Sequence, residues 1–253
     1  MTIGARLLLL ALVALYPVRA LSAPSDALPG ILGTDDRVAR DSVAWPWAAI
    51  GRLNRASGGF CTATLVGPRH VLTAAHCLFD RLGRRIAAKN IHFVAGYRRG
   101  DYLAHSVARD LIVPADYRPE SALESKALAN DWAVVVLRDP VAIQPIPVRV
   151  FEGDGGQDAG MVLRAGYGQD RAHLLSVHEG CRITGRSARG RLFLHSCDAT
   201  HGDSGSPLLL QTPAGIALIG IEVGLGNAGG TEHGLAVPAE RFEPALRSIL
   251  AEG

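Results

Sequence analysis

The chain has 253 residues, of which 48% are hydrophobic and 6% aromatic, and its 26 basic against 24 acidic residues leave a formal net charge of +2. That length supports one large core or two packed ones without help from metals or oligomerisation, and so small a charge excludes a polyelectrolyte and gives no footprint for nucleic acid. The basic residues are almost all arginine, Lys89 and Lys126 being the only lysines, a bias that fits base composition better than a binding face.

At the N-terminus, Arg6 precedes the apolar run Leu7 to Tyr16, and the small residues Ala20, Ser22 and Ala23 follow. A run of about ten apolar residues falls well short of the roughly 20 that a membrane-spanning helix needs. Residues 1–23 are therefore predicted to be a signal peptide, cut after Ala20 or Ala23, with residues 24–30 as a short propeptide and no membrane attachment after cleavage.

From Ala44 to Leu225 the chain reads as short apolar or alternating runs broken by Gly, Pro, Asn and Asp. The predicted strands are Trp47 to Leu53, Ala63 to Val66, Val71 to Ala74, Ile91 to Ala95, Ala133 to Leu137, Met161 to Ala165, Leu192 to His195, Pro207 to Leu210 and Ile216 to Ile221. Strands this short and this frequent predict an all-β barrel or sandwich. Asp139-Pro140 and Gln144-Pro145-Ile146-Pro147 interrupt them with poor strand material and are predicted to link two domains. At the C-terminus Phe242, Ala245, Leu246, Ile249 and Leu250 fall at helical spacing, which predicts one closing helix over 239–253 whose apolar face packs on the last barrel.

An exported chain with four cysteines is expected to carry two disulfides, for which three pairings exist. Sequential pairing, Cys61 with Cys77 and Cys181 with Cys197, closes two loops of similar, modest size. Structural zinc sites use gaps of two to four residues within a pair, so no metal is expected.

Three segments carry chemistry: Leu72-Thr73-Ala74-Ala75-His76-Cys77, Asn130-Asp131-Trp132-Ala133-Val134-Val135-Val136-Leu137 and Gly202-Asp203-Ser204-Gly205-Ser206-Pro207-Leu208. In this order they resemble the His, Asp and Ser motifs of the chymotrypsin/trypsin-like serine protease superfamily. The Gly-Ser-Pro ending, the opening Ile31-Leu32-Gly33-Thr34-Asp35-Asp36-Arg37 and Trp45-Pro46-Trp47-Ala48-Ala49-Ile50-Gly51 resemble its bacterial glutamyl-endopeptidase-like branch. The resemblance implies two antiparallel six-stranded β-barrels with an active site between them: residues 31–140 carrying His76 and Asp131, and residues 141–238 carrying Ser204.

The residue types fit acyl transfer. A serine hydroxyl is a feeble nucleophile at neutral pH and needs a base to take its proton as attack proceeds, which is the role expected of His76. A carboxylate on the second ring nitrogen fixes the tautomer and stabilises the imidazolium, the role expected of Asp131. Flanking glycines suit a tight turn that presents Ser204. By the same resemblance the backbone amides of Gly202 and Ser204 form an oxyanion hole, and Asp203 pairs with a new α-amino group at Ile31 after zymogen cleavage. The sequence departs from that last pattern: Gly30 rather than Lys or Arg precedes Ile31, and Gly33-Thr34 replaces a Gly-Gly.

Asp198, six residues before Ser204, and Glu222 and Gly224, both in the strand segment Ile219 to Gly224, are the expected substrate-binding residues. Two acids there favour Arg or Lys at the scissile bond, and Glu222 repels an acidic side chain; the competing reading turns Asp198 away to cap a loop. Taken together these residues predict a secreted or periplasmic, monomeric serine endopeptidase that acts on protein or peptide substrates through an acyl-enzyme and needs no cofactor. The alternatives are a catalytically silent binding protein of the same fold and a secreted esterase. His195 and His201 are expected in loop or pocket-wall positions.

Overall fold

A computed structural model describes residues 28–119, 128–153 and 161–252. The predicted signal peptide, the first part of the predicted propeptide and Lys126 lie outside the described residues. Among the described residues, no helix is long and apolar enough to cross a membrane.

The fold is all-β, built from two closed six-stranded antiparallel barrels and a C-terminal helix. The first barrel runs in the order β2-β3-β4-β7-β6-β5, from β2 (Ile50–Arg55), β3 (Phe60–Gly67), β4 (His70–Thr73), β5 (Ile91–Ala95), β6 (Ala104–Ile112) and β7 (Ala133–Leu137). The second comprises β8 (Met161–Gly166), β9 (Leu175–Ser187), β10 (Leu192–His195), β11 (Pro207–Thr212), β12 (Gly215–Ala228) and β13 (Thr231–Pro238). It closes because the long β9 pairs with both β8 and β10. An extra short strand, β1 (Val38–Arg40), adds to the outer edge of β9. The N-terminal segment therefore joins the second sheet although it precedes the first barrel in sequence, which moves part of 31–140 out of the unit expected for it.

The predicted strands fall on observed ones, with small shifts at the ends, apart from two departures. Trp47–Ala49 forms a 3-10 turn leading into β2, and the strand expected over Ile216 to Ile221 runs on to Ala228. Four strands had no counterpart among the predicted ones: β1, β6, β9 and β13. The burial of β6 shows why, since Ala104–Ile112 alternates only imperfectly between core and solvent and carries His105, Arg109 and Asp110. The closing helix spans Glu243–Glu252, and Leu246 is buried on its core side.

β3 lies at the junction of the two barrels and is buried along its whole length. Its polar residue Thr62 ties the halves together: the hydroxyl donates to Gly202 O at 3.1 Å and accepts from Tyr167 N at 2.9 Å. Its amide donates to Ser204 O at 2.9 Å. Each such bond contributes about 1 kcal/mol; two of the three reach the loop that carries Ser204, and the third reaches Tyr167 just after β8. The proline-rich segment runs between β7 and β8 and is stitched to both barrels, Ile146 N donating to Leu65 O and Arg149 N to Leu218 O.

Candidate active site

Strand register brings the first two candidate residues together. β4 and β7 are antiparallel neighbours with Thr73 opposite Ala133, so the residues just after β4 and just before β7 meet at one end of the barrel. His76 stands in the 3-10 turn Ala75–Leu78 after β4, and Asp131 precedes β7. The ring Nδ1 of His76 lies 2.7 Å from Asp131 Oδ2, and the His76 backbone N–H donates to Oδ1 at 2.8 Å. Asp131 is buried, whereas the His76 side chain keeps 33% exposure toward the cleft. Burial by itself pulls the imidazole pKa down, but the charge of Asp131 and the hydrogen bond to it outweigh that pull. The net result is a His76 pKa raised above the ordinary value, with Glu222 adding to the rise and Arg55 opposing it.

Ser204 sits in the loop between β10 and β11. Its carbonyl accepts from Thr62 N and contacts Cys77 Sγ at 3.9 Å, which brings its backbone beside the neighbour of His76. The Cys61–Cys77 disulfide joins β3 to the His76 turn, and Cys181–Cys197 joins β9 to the start of the Ser204 loop. Both bridges follow the sequential pairing.

The loop conformation depends on two glycines. Gly202 has φ +100°, and a Cβ there would come within 2.6 Å of Tyr167 O; Gly205 has φ +81°, and a Cβ there would come within 2.3 Å of Thr62 O. Within the loop, Asp203 N donates to Thr200 O and Ser206 N to Asp203 O. Among the described residues, neither Gly202 N nor Ser204 N has an acceptor within the protein. Amides without an internal acceptor are of the kind that can stabilise an oxyanion.

In the uncleaved chain, where Ile31 carries no free α-amino group, Asp203 has a different partner. Asp203 is fully buried and its Oδ1 is held by the guanidinium of Arg164, from β8. Thr200 N donates to Oδ2 at 2.8 Å, and Arg37 approaches the same oxygen at 4.0 Å. Ile31 N instead donates to Leu28 O. A buried carboxylate demands a cation, and Arg164 supplies one from within the chain. An arginine inside the apolar run Met161-Val162-Leu163-Arg164-Ala165 was the available signal, since a charge on a core face implies a buried partner.

Asp198 also departs from expectation. It is buried, and its carboxylate is occupied by Leu32 N at 2.8 Å, Asp36 N at 3.1 Å and the His178 ring at 3.2 Å. These contacts lower its pKa even though burial alone would raise it. It caps the N-terminal loop and does not line the cavity beside Ser204.

That cavity, of about 250 Å³, is lined by Ser204, Glu222, Gly224, Thr200, His201 and Leu225, with Pro29 and Ala199. Of the two acids, Glu222 alone lines it. A second cavity of about 580 Å³ shares Gly224 and Leu225 and continues past His76 and Asp131 along an apolar wall that includes Leu128, Leu192, Leu194 and Leu235. β12 supplies the floor of both. Beyond Ile221 it pairs with β13 on one side, and among the described residues no strand covers its other edge, which is the geometry that accepts an extended peptide.

Comparison with known proteins agrees with these features. The family model described as Trypsin matches residues 36–246. The proclotting enzyme of Tachypleus tridentatus is 30% identical over 213 residues, 70% of this chain and 55% of that protein. Serine protease 23 of Mus musculus is 27% identical over 169 residues, 60% of this chain and 43% of that protein. A glutamyl endopeptidase of Bacillus licheniformis matches a shorter stretch, 36% identical over 55 residues, 21% of this chain and 17% of that protein. The chain thus spans about half, or less, of the curated relatives it matches. Among solved structures, one described as a Glu endopeptidase in complex with MPD has a TM-score of 0.72 at 20% identity, covering 87% of this chain and 99% of that one; that likeness is one of fold.

Proposed function

The chain belongs to the trypsin family of serine proteases, and from that premise we infer that it is an exported endopeptidase using Ser204 as nucleophile, His76 as general base and Asp131 as the group that orients the base. The observation that carries the reading is the double contact of Asp131 with His76, through Nδ1 at 2.7 Å and through the backbone amide at 2.8 Å. With Nδ1 engaged, the uncharged ring offers Nε2 as the proton acceptor.

Attack of the Ser204 hydroxyl on a peptide carbonyl transfers its proton to His76 Nε2, and the resulting imidazolium is stabilised by Asp131. The developing oxyanion takes the amides of Gly202 and Ser204, each such donor contributing about 3 kcal/mol to the transition state. Collapse expels the leaving amine with the proton from His76, and water then repeats the sequence on the acyl-enzyme.

Substrate preference follows from Glu222, the carboxylate lining the cavity next to Ser204. It favours Arg or Lys on the acyl side of the scissile bond and disfavours Asp or Glu. The Arg164–Asp203 pair supports activity without a new N-terminus at Ile31. Two disulfides support export to an oxidising compartment. A fluorophosphonate probe together with a peptide-library digest tests the whole reading. The wild type is expected to be labelled and to cut after Arg or Lys, and Ser204→Ala to do neither; an unlabelled, inactive wild type would point to a silent binding protein, and cleavage of esters alone to an esterase.

A further inference from the structure

Two loops beside the His76 turn enclose a third cavity, of about 540 Å³, which shares no lining residue with the two described above. One wall is the hairpin between β2 and β3, with Arg55 and Gly59. The other is the loop after the His76 turn, with Asp80, Arg81 and Arg84, and Gln169 closes the end. The Cys61–Cys77 disulfide ties the two walls together close to where they begin. Gln169 N donates to His201 O at 2.6 Å, and a Cβ on Gly202 would meet Phe60 Cε2 at 2.8 Å and Gln169 N at 3.2 Å. The cavity therefore abuts both the turn that carries His76 and the loop that carries Ser204.

The charge around it is unbalanced. Asp80 is taken up by its own loop: Oδ1 accepts from Leu82 N and Arg84 N at 2.9 Å each, and Oδ2 accepts from Arg84 Nε at 2.8 Å. Arg84 and Asp80 thus cancel. Arg55 and Arg81 form no ion pair among the described residues, and Arg55 Nε is buried without a hydrogen-bond partner. Gly59 makes room for the Arg55 guanidinium, since a Cβ there would lie 2.5 Å from Nη2. The same guanidinium lies close enough to the active site for its charge to act on His76.

The path of a bound peptide assigns this cavity to one side of the scissile bond. The part that precedes the bond pairs with the free edge of β12, over the two cavities floored by that strand. The part that follows leaves Ser204 on the other side of the His76 turn, where the third cavity receives it. Two cations in a recess attract an anion, and the anion that a peptide carries in mid-chain is an Asp or Glu side chain.

We propose that Arg55 and Arg81 select an acidic side chain at the first or second residue after the scissile bond, so that the favoured substrate is defined on both sides of the cut. The proposal rests on the protease reading, with β12 holding the acyl part, and is independent of the charge of Glu222.

The test uses peptides amidated at the C-terminus, which removes the α-carboxylate as a competing anion. Their acyl side is fixed as the side chain cut best in the library digest, and Glu is compared with Gln at each of the two positions after the bond. The Glu-over-Gln ratio of kcat/KM cancels any effect of Arg55 on His76, because both substrates need the same base. In the wild type the ratio is expected to be about five at one of these positions, the size of a partly exposed ion pair. It should fall toward one in about 1 M salt, where the screening length is about 3 Å. Arg55→Gln and Arg81→Gln should each lower it and the double variant bring it to one, whereas Arg247→Gln, on the closing helix, leaves it at the wild-type value.

A wild-type ratio near one at both positions overturns the proposal without requiring any variant to fold, and leaves the protease reading intact. A ratio that survives in the double variant overturns it as well, because another group then reads the charge. A wild type that cleaves none of the peptides removes the protease reading itself, and this proposal with it.

Discussion

Asp131 grips His76 at two points, its Oδ2 taking the ring Nδ1 at 2.7 Å and its Oδ1 the backbone amide at 2.8 Å. The ring is therefore fixed in both tautomer and position, and its pKa is raised above the ordinary 6.5. The proposed mechanism needs the unprotonated ring, so kcat/KM is expected to fall as pH drops through a midpoint above that value. Asp131→Asn should lower kcat about ten-thousand-fold, the loss seen when the carboxylate of a Ser-His-Asp triad is removed. Its residual activity should persist to lower pH, because the attraction that raises the His76 pKa has gone. A pH–rate profile of both proteins checks the magnitude and the shift.

The pairing of Arg164 with Asp203 predicts an enzyme that needs no processing at Ile31. A chain whose N-terminus lies before Ile31 should be fully active, as N-terminal sequencing of the active species would establish. Arg164→Met leaves a buried carboxylate without its cation and is expected to cost about 3–5 kcal/mol in denaturant unfolding. Adding Asp203→Asn to that variant should recover part of the loss, since the uncompensated charge is then removed.

Asp198 is expected to govern stability and not selectivity. Asp198→Asn should leave the preference for Arg over Glu peptides intact while costing about 1–3 kcal/mol through its unsatisfied partners. The pKa of Asp198 in the folded protein lies below the ordinary 3.8, so its contribution is complete above that pH and is lost as pH falls through the depressed value. Acid unfolding curves for the two proteins should accordingly differ at neutral pH and converge in strong acid.

The two disulfides close loops of the same length, the partners lying 16 positions apart in each. In the loop-entropy model, removing either costs about 3 kcal/mol. Their functional effects should differ. Replacing Cys61 and Cys77 by Ala loosens the turn bearing His76 and should lower kcat for all substrates, whereas replacing Cys181 and Cys197 loosens the start of the loop whose Ala199 and Thr200 line the cavity beside Ser204 and should act mainly on KM.

Gly202→Ala tests the loop at the nucleophile. The left-handed backbone at Gly202 and the 2.6 Å approach of a Cβ to Tyr167 O require the peptide to shift. A misdirected oxyanion donor should reduce kcat by roughly a hundredfold to a thousandfold, with KM changed far less. Steady-state kinetics separates the two.

Local sequence was enough to specify the all-β class, the sequential disulfides and the segments bearing His76, Asp131 and Ser204, because alternation, turn residues and motif context act over a few neighbouring positions. Half-exposed strands such as β6 and β9 escaped that reading: charged residues and glycine blur their alternation, and only pairing with distant strands fixes them. The partners of buried charges were equally out of reach. Asp198 meets Leu32 across 166 positions and Asp203 meets Arg164 across 39, and no local pattern encodes which cation or amide will fill a carboxylate once water is excluded. Folding made that choice, and with it Asp198 became an anchor for the N-terminal loop, Asp203 was paired with Arg164 in the uncleaved chain, and Glu222 remained as the acid that lines the cavity beside Ser204.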